Sequence, residues 1–529
     1  MVRVRPRIHA HSFRSMRLAV FPACTGQAGR GPVGVGAGAH LCDDRRAMST
    51  SRRSRPGGIA VVRRGDRNVL KKLFRVNGVA AVLLSFVSVG SLAGEVDLTR
   101  FGPREYAPDT VTPNVSRDAF FGVPGPARLV IRPVGPTGGT PADVNIELNG
   151  RRVWSSRSAG TAGDEIEVPV TLAENNAIRV ELAGDGGSAV SVRVRQQAKV
   201  DLGLTGRVHF NVNTNAYAWT REFYRRLGFT HSIGPFPETN TIIMANSVGM
   251  RHPYRMYAEL IYLGEGEIDP AKLMIPTGRF IDIIEWKEPR NVQPAYPHVN
   301  SLGIAKVTLS TTDLDADMAS LRAIGTTFLS APATRADGSR FVIARDPAGT
   351  FVELRQDPGA TPKLLNGSHV SEIHHLTVNV SDFERSRAFY RMIGFTRGTE
   401  LPGSGTAEEA RAMGLDGPYR VRAEMMVHER DGSRIELVEW LEPRDLTPPH
   451  APPINHPGIH RINFGTTDVA RDVARLRAQG IRFLSPIAPC CEGDRSRMGI
   501  ALFADPDGSF MQVMGGIEPP AASHHAASK

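Results

Sequence analysis

The stretch Ile373-His374-His375-Leu376-Thr377-Val378-Asn379-Val380-Ser381-Asp382, followed by a run that ends Phe389-Tyr390-Arg391-Met392-Ile393-Gly394-Phe395, decides the fold. It reads as a strand with alternating polar residues, then a helix stopped by glycine. The same pattern occurs earlier. Val208-His209-Phe210-Asn211-Val212-Asn213 leads into Arg221-Glu222-Phe223-Tyr224-Arg225-Arg226-Leu227-Gly228-Phe229. An internal repeat of this length sets the architecture before any single residue is interpreted.

Working outward, the repeat continues. Phe280-Ile281-Asp282-Ile283-Ile284-Glu285-Trp286 matches Ile435-Glu436-Leu437-Val438-Glu439-Trp440, and each is followed by Glu-Pro-Arg. Tyr254-Arg255 and Glu259 match Tyr419-Arg420 and Glu424. Gly303-Ile304-Ala305-Lys306-Val307-Thr308 matches Gly458-Ile459-His460-Arg461-Ile462-Asn463, and Asp346-Pro347-Ala348-Gly349 matches Asp505-Pro506-Asp507-Gly508. Residues 205–357 are thus duplicated at 371–516. Each copy holds two strand-helix-strands units, four in all.

These units resemble the βαβββ modules of the vicinal oxygen chelate superfamily, which includes glyoxalase I, extradiol dioxygenases and bleomycin-resistance proteins. The aromatic-Tyr-Arg-x-x-Gly-Phe helix end and the Asp-Pro-x-Gly turn carry the resemblance. It implies an α+β chain whose four modules form two cup-shaped domains, read as 205–357 and 371–516 with a linker at 358–370. The fold is silent about the reaction, since one scaffold hosts many chemistries.

Side-chain alternation then separates the two faces of each strand. Val208, Phe210 and Val212 should meet a helix, leaving His209, Asn211 and Asn213 to face the cup. The same parity turns His375, Thr377 and Asn379 inward, with Lys306, Thr308, Ser310, Arg461 and Asn463. A slip of one residue would press Asn and Arg against the helices, so the register is well specified. In the last strands Asp282, Glu353, Glu436 and Gln512 point inward. The family's metal ligands occupy the inward positions of the first and last strands. By resemblance, the candidate metal ligands are His209, Asp282, Glu353, His375 and Glu436, around one divalent ion (Zn, Ni, Mn or Fe).

Lys306 and Arg461 stand at the remaining ligand positions and depart from that pattern, because a divalent metal needs deprotonated N and O donors. Whether module one pairs with two or with four, each cup receives one such cation. A cation beside carboxylates can form an ion-pair network, or bind an anionic or carbonyl-bearing ligand. Lys306, Arg461, Asn211, Asn379, Arg255 and Arg420 are therefore candidate ligand-binding residues. Glu259 and Glu424 are candidate acid/base groups if their strand face lines the cup, with cross-strand ion pairing as the alternative. His374 and His460 fall on the helix side of their strands, which counts against an extradiol dioxygenase site of two His and one carboxylate. Two functions stand: a metal-dependent lyase or isomerase, and a metal-free binding protein of the bleomycin-resistance type. Both imply a small-molecule ligand.

Composition bounds the rest. Of 64 Lys+Arg and 54 Asp+Glu, residues 1–75 hold 17 and 3, so residues 76–529 carry 47 and 51. The pI near 9.7 belongs to the leader, and the slightly acidic remainder offers no footprint for nucleic acid. Lys71-Lys72-Leu73-Phe74-Arg75, an apolar run from Val79 to Val89 and the small residues Ser91 and Ala93 have the layout of a signal peptide. That layout predicts a cleaved leader at 1–93, a periplasmic or secreted protein, and no stable membrane insertion. Residues 94–125 read as a linker, 126–199 as a small β-sandwich of period-two strands, and 517–529 as a disordered tail. Of four cysteines, two lie in the leader, and the adjacent pair Cys490-Cys491 falls in a loop with no role assigned.

Overall fold

Period-two strands do precede the repeat, and they begin earlier than the sequence suggests. The computed structural model describes residues 94–518 except 108–113, 135–142, 157–164, 184–188, 239, 266–267, 269–276, 446–451 and 491–495. The leader, its signal-peptide layout and the tail from 519 lie outside the described residues. Two four-stranded sheets form the sandwich. Gly94–Tyr106, Ala189–Val200, Gly125–Val134 and Ile166–Leu172 make one sheet; Asn114–Phe121, Asn175–Ala183, Asp143–Leu148 and Arg151–Ser155 make the other. The expected linker at 94–125 is corrected here, since it supplies two of these strands. Its alternation is obscured because Gly94–Tyr106 is broken by register shifts around Thr99–Arg104. Leu129, Ile131, Ile146, Val180 and Val192 close the core between the sheets.

The four modules form two eight-stranded mixed sheets. In one, strands of module one (His231–Ile233, Arg255–Tyr262, Phe280–Glu288, Leu204–Thr214) continue directly into strands of module four (Gly458–Thr466, Phe510–Gly516, Met498–Ala504, Ala488–Pro489). In the other, module two (Ala333–Thr334, Arg340–Arg345, Phe351–Gln356, Gly303–Thr311) continues into module three (Val370–Asn379, Arg434–Glu442, Arg420–Val427, Arg397–Glu400). Each cup thus takes one module from either copy of the repeat. The sheets cut across the boundaries 205–357 and 371–516.

Each junction is an antiparallel pair of first strands, Leu204–Thr214 with Gly458–Thr466 and Gly303–Thr311 with Val370–Asn379. Both pairs carry register shifts that leave Val208, His460, Ala305 and His374 without a ladder partner. An extra residue of this kind re-aims its neighbours. It explains why Val208, expected against a helix, packs with the cup-side cluster of Tyr254, Trp286 and Met514. It also displaces His374 and His460 from the simple alternation used to place them.

The helices Tyr217–Arg226, Leu314–Arg322, Phe383–Met392 and Val469–Ala478 lie on the convex faces. Three of them start at an aspartate (Asp313, Asp382, Asp468) whose carboxylate accepts the backbone N–H three residues on, satisfying an otherwise orphaned donor. The chain leaves the helices through Gly228, Gly325, Gly394 and Gly480 at φ of +87°, +81°, +106° and +76°, a region costly for any residue with a Cβ. One continuous apolar core joins the helices to both sheets through Phe210, Tyr224, Leu309, Tyr390, Phe464 and Val513. Leu98, Ala198 and Val200 of the sandwich enter the same core. Among the described residues no helix is long and apolar enough to cross a membrane.

Candidate functional site

In the cup of modules two and three, Lys306 and His375 stand on the paired first strands, with Glu353 and Glu436 on the strands beside them. The Lys306 ammonium lies 3.0 Å from Glu353 Oε2 and 3.2 Å from Glu436 Oε2. His375 Nε2 lies 3.3 Å from the same Glu436 oxygen and 3.1 Å from Thr308 Oγ1. Thr377 donates to Glu436 at 2.5 Å. Arg335, which the sequence reading missed, completes the ring. It sits 3.0 Å from Glu353, with its guanidinium 3.8 Å from the Phe341 ring centroid.

Two cations and two carboxylates therefore balance in this lysine cup. Burial alone would raise the Glu353 carboxyl, but Arg335 and Lys306 outweigh it and hold the group at about 2. Burial is outweighed likewise at Glu436, which Lys306, His375 and Thr377 hold well below the usual carboxylate range. His375 is pushed down by burial, so its ring is neutral near pH 7 although Glu436 acts in the opposite direction. Around this network lies a cavity of about 540 Å³, walled by Tyr419, Met425 and Trp440 among others.

The cup of modules one and four has the same ladder with different chemistry. Arg461 replaces Lys306, Gln512 replaces Glu353, and Asp282 replaces Glu436. His209 matches His375, and Asn211 matches Thr377. Asp282 Oδ2 accepts a 2.6 Å bond from Asn211, and His209 Nε2 lies 4.0 Å away from it. Arg461 is 6% exposed, yet among the described residues it forms no ion pair, and its Nε and Nη1 have no hydrogen-bond partner. Asp282 Oδ1, Gln512 Oε1 and His209 Nδ1 are also buried without partners. Burial drives the Asp282 carboxyl up to about 7, against the pull of Arg461 and the Asn211 bond. Burial, then Arg461, drive His209 down to about 3, so it is neutral. The cavity above this floor is about 330 Å³ and largely apolar, with Phe236, Met244, Met256, Trp286 and Met498 in its wall. Cys490 belongs to that wall, buried and disulfide-bonded.

The inward assignments of His209, Asn211, Asp282, Lys306, Glu353, His375, Glu436 and Arg461 thus agree with the structure. They do not form one metal set. His209 and Asp282 lie in one sheet, and Glu353, His375 and Glu436 in the other. Among the described residues no group of three or more His, Cys, Asp or Glu is placed to hold a metal. A divalent ion does not fit the lysine cup because Lys306 already fills the space between its carboxylates.

Five further assignments are corrected. Glu259 accepts from Tyr217 and pairs with Arg221 at 3.1 Å, both on the helix Tyr217–Arg226, and so faces away from the cup. Glu424 pairs with Arg387 at 2.6 Å on the helix Phe383–Met392. The cup-facing residues of these middle strands are the apolar ones, Ala258 and Leu260 in one, Val421 and Ala423 in the other. Arg255 and Arg420 are exposed and pair with Glu238 and Glu288, and with Glu442. Asn379 is fully buried and saturated. Its amide donates to the carbonyls of Val299 (2.7 Å) and Ser301 (2.8 Å), and its oxygen accepts from Trp440 Nε1 at 3.0 Å. It fixes a loop and has no capacity left for a ligand.

Comparison with known proteins agrees with the folding pattern. Residues 372–513 match the family described as Glyoxalase/Bleomycin resistance protein/Dioxygenase superfamily. Over those residues the chain is similar to that superfamily, and both eight-stranded sheets have the module order expected of such a fold. No curated protein matches it in sequence. Among solved structures, a glyoxalase I variant from Zea mays is 14% identical, covering 58% of this chain and 92% of its own, with a TM-score of 0.39. A putative dioxygenase from Bacillus subtilis is 11% identical over 60% and 86%, with a TM-score of 0.37. An antibiotic binding protein from Streptomyces is 22% identical over 28% and 97%, with a TM-score of 0.18.

Proposed function

We propose that this protein binds small molecules in its cups without a resident metal. The single observation that carries the reading is the Lys306 ammonium, 3.0 and 3.2 Å from Glu353 and Glu436. A divalent ion entering there would have to expel a buried cation and break both pairs. Such exchange strands a charge in the interior, which costs several kcal/mol. In the other cup, His209 and Asp282 share the floor with Arg461 and Gln512, and neither a guanidinium nor a primary amide is a ligand of the required kind. Among the described residues, neither cup offers the donor set that a metal-dependent lyase or isomerase needs. Apolar walls around a few convergent polar groups are the usual form of a ligand site, and both cavities have that form.

Export is part of the same proposal and rests on the layout of residues 71–93 alone. Cleavage after Ala93 is tested by N-terminal sequencing of the protein recovered from its native compartment. The binding reading is tested by a thermal-shift screen of small aromatic and aliphatic compounds. Raised Tm values that persist after exhaustive chelation support it. Shifts that vanish with chelator and return with added Zn, Ni or Mn overturn it.

A further inference from the structure

The arginine cup differs from its partner in one respect that identifies a ligand. A guanidinium that is 6% exposed, with two N–H-bearing nitrogens unpaired, is costly in an apolar cavity. Buried charges are ordinarily paired, and the lysine cup shows how this fold pairs them. There, both carboxylates are present at full reach. Here one is an amide, Gln512, and the other is an aspartate, one methylene shorter than Glu436. Arg461 and Asp282 both line the 330 Å³ cavity, so a counter-charge carried by a ligand would meet the guanidinium at the floor of that cavity.

We infer that the arginine cup binds an amphipathic monocarboxylate, whose carboxylate pairs with Arg461 while its aromatic or aliphatic body lies against Trp286, Met244, Met256 and Met498. The inference rests on the binding reading above and narrows it to one ligand class. Arginine suits the role because its planar donors match a carboxylate in two-point contact. Thioether side chains suit the other end, since they adapt to irregular apolar shapes. The cavity volume sets the size, a fragment at the small end of the range for ligand pockets.

The test compares phenylacetate with phenylacetamide, and octanoate with octanol, by calorimetry on the full mature chain. The wild type should favour each carboxylate by ~10–100-fold, the range for a hydrogen-bonded charge pair. Arg461→Met should abolish that preference while still binding the neutral compounds, which shows that the variant is folded. Gln512→Glu, which supplies the missing partner from the protein side, should abolish it too. Neutral compounds binding as tightly as the acids, or a preference that survives Arg461→Met, overturns the inference and leaves the binding reading standing. Binding of none of the four compounds to the wild type counts against both.

Discussion

Lys306 and Arg461 occupy the same rung of the same ladder in two cups, one meeting carboxylates at 3.0 and 3.2 Å, the other meeting none among the described residues. The difference comes from two neighbouring substitutions within the repeat. Glu353 corresponds to Gln512, which removes a charge, and Glu436 corresponds to Asp282, which shortens the reach of another. One cup is thereby neutralised from within, with its carboxylates held far below their ordinary range. The other keeps an unpaired cation and a carboxyl raised to about 7. Two cups of the same strand order thus differ: one floor is neutralised from within, and the other keeps a cation unpaired among the described residues.

The comparison breaks most readily at the cations. Lys306→Met strands Glu436 and half-strands Glu353, and should cost ~3–5 kcal/mol, the usual penalty for removing one partner of a buried pair. Arg461→Met removes a buried charge that has no partner among the described residues, and should leave stability unchanged or raise it. Denaturant midpoints for the two variants check the pair; equal losses would contradict the contrast. Next in size is Asn379→Ala, which frees two carbonyls and the Trp440 indole, and should cost ~2–3 kcal/mol with ligand binding unchanged.

The pH response sharpens the same contrast. Glu353 is depressed in the folded state, so its stabilisation is present above its unfolded value of 4.5 and lost as pH falls through about 2. Asp282 is raised, so its contribution is present below 3.8 and lost as pH rises through about 7. Asp346 and Asp505, raised by burial to about 6 and 7, slope the same way. Comparing Asp282→Asn with wild type isolates the arginine cup. Its stability difference should shift across pH 4–7, whereas that of Glu353→Gln should shift only in acid. The smallest effect belongs to Glu259→Gln, which weakens a helix contact by ~1 kcal/mol and should leave all binding unchanged.

Much of this was legible in the chain. Alternation in Val208–Asn213 and Ile373–Asn379 turned the right side chains inward, because a register slip would have buried Asn and Arg. Three things were not. Module pairing depends on which first strands join, and all four carry the same pattern. Parity could not choose the cup face of Arg255–Tyr262 and Arg420–Val427, because both faces are covered. Glu259 and Glu424 are on the helix side, paired with arginines there, and the apolar residues line the cup. Tyr217 and Arg221, four residues apart and polar on a sheet-facing helix side, were the available signal. Arg335 comes from a connection outside the strand ladder, so alternation could not reach it.

The most direct measurement of the central claim is the metal content of the purified protein after equilibration with Zn, Ni and Mn and removal of excess. Lys306 within its carboxylate pair predicts far less than one equivalent per chain for each metal, and uptake in Lys306→His, which adds a donor where the ammonium was. One equivalent in the wild type, lost in His375→Ala or in His209→Ala, would contradict it and restore the metal-dependent reading.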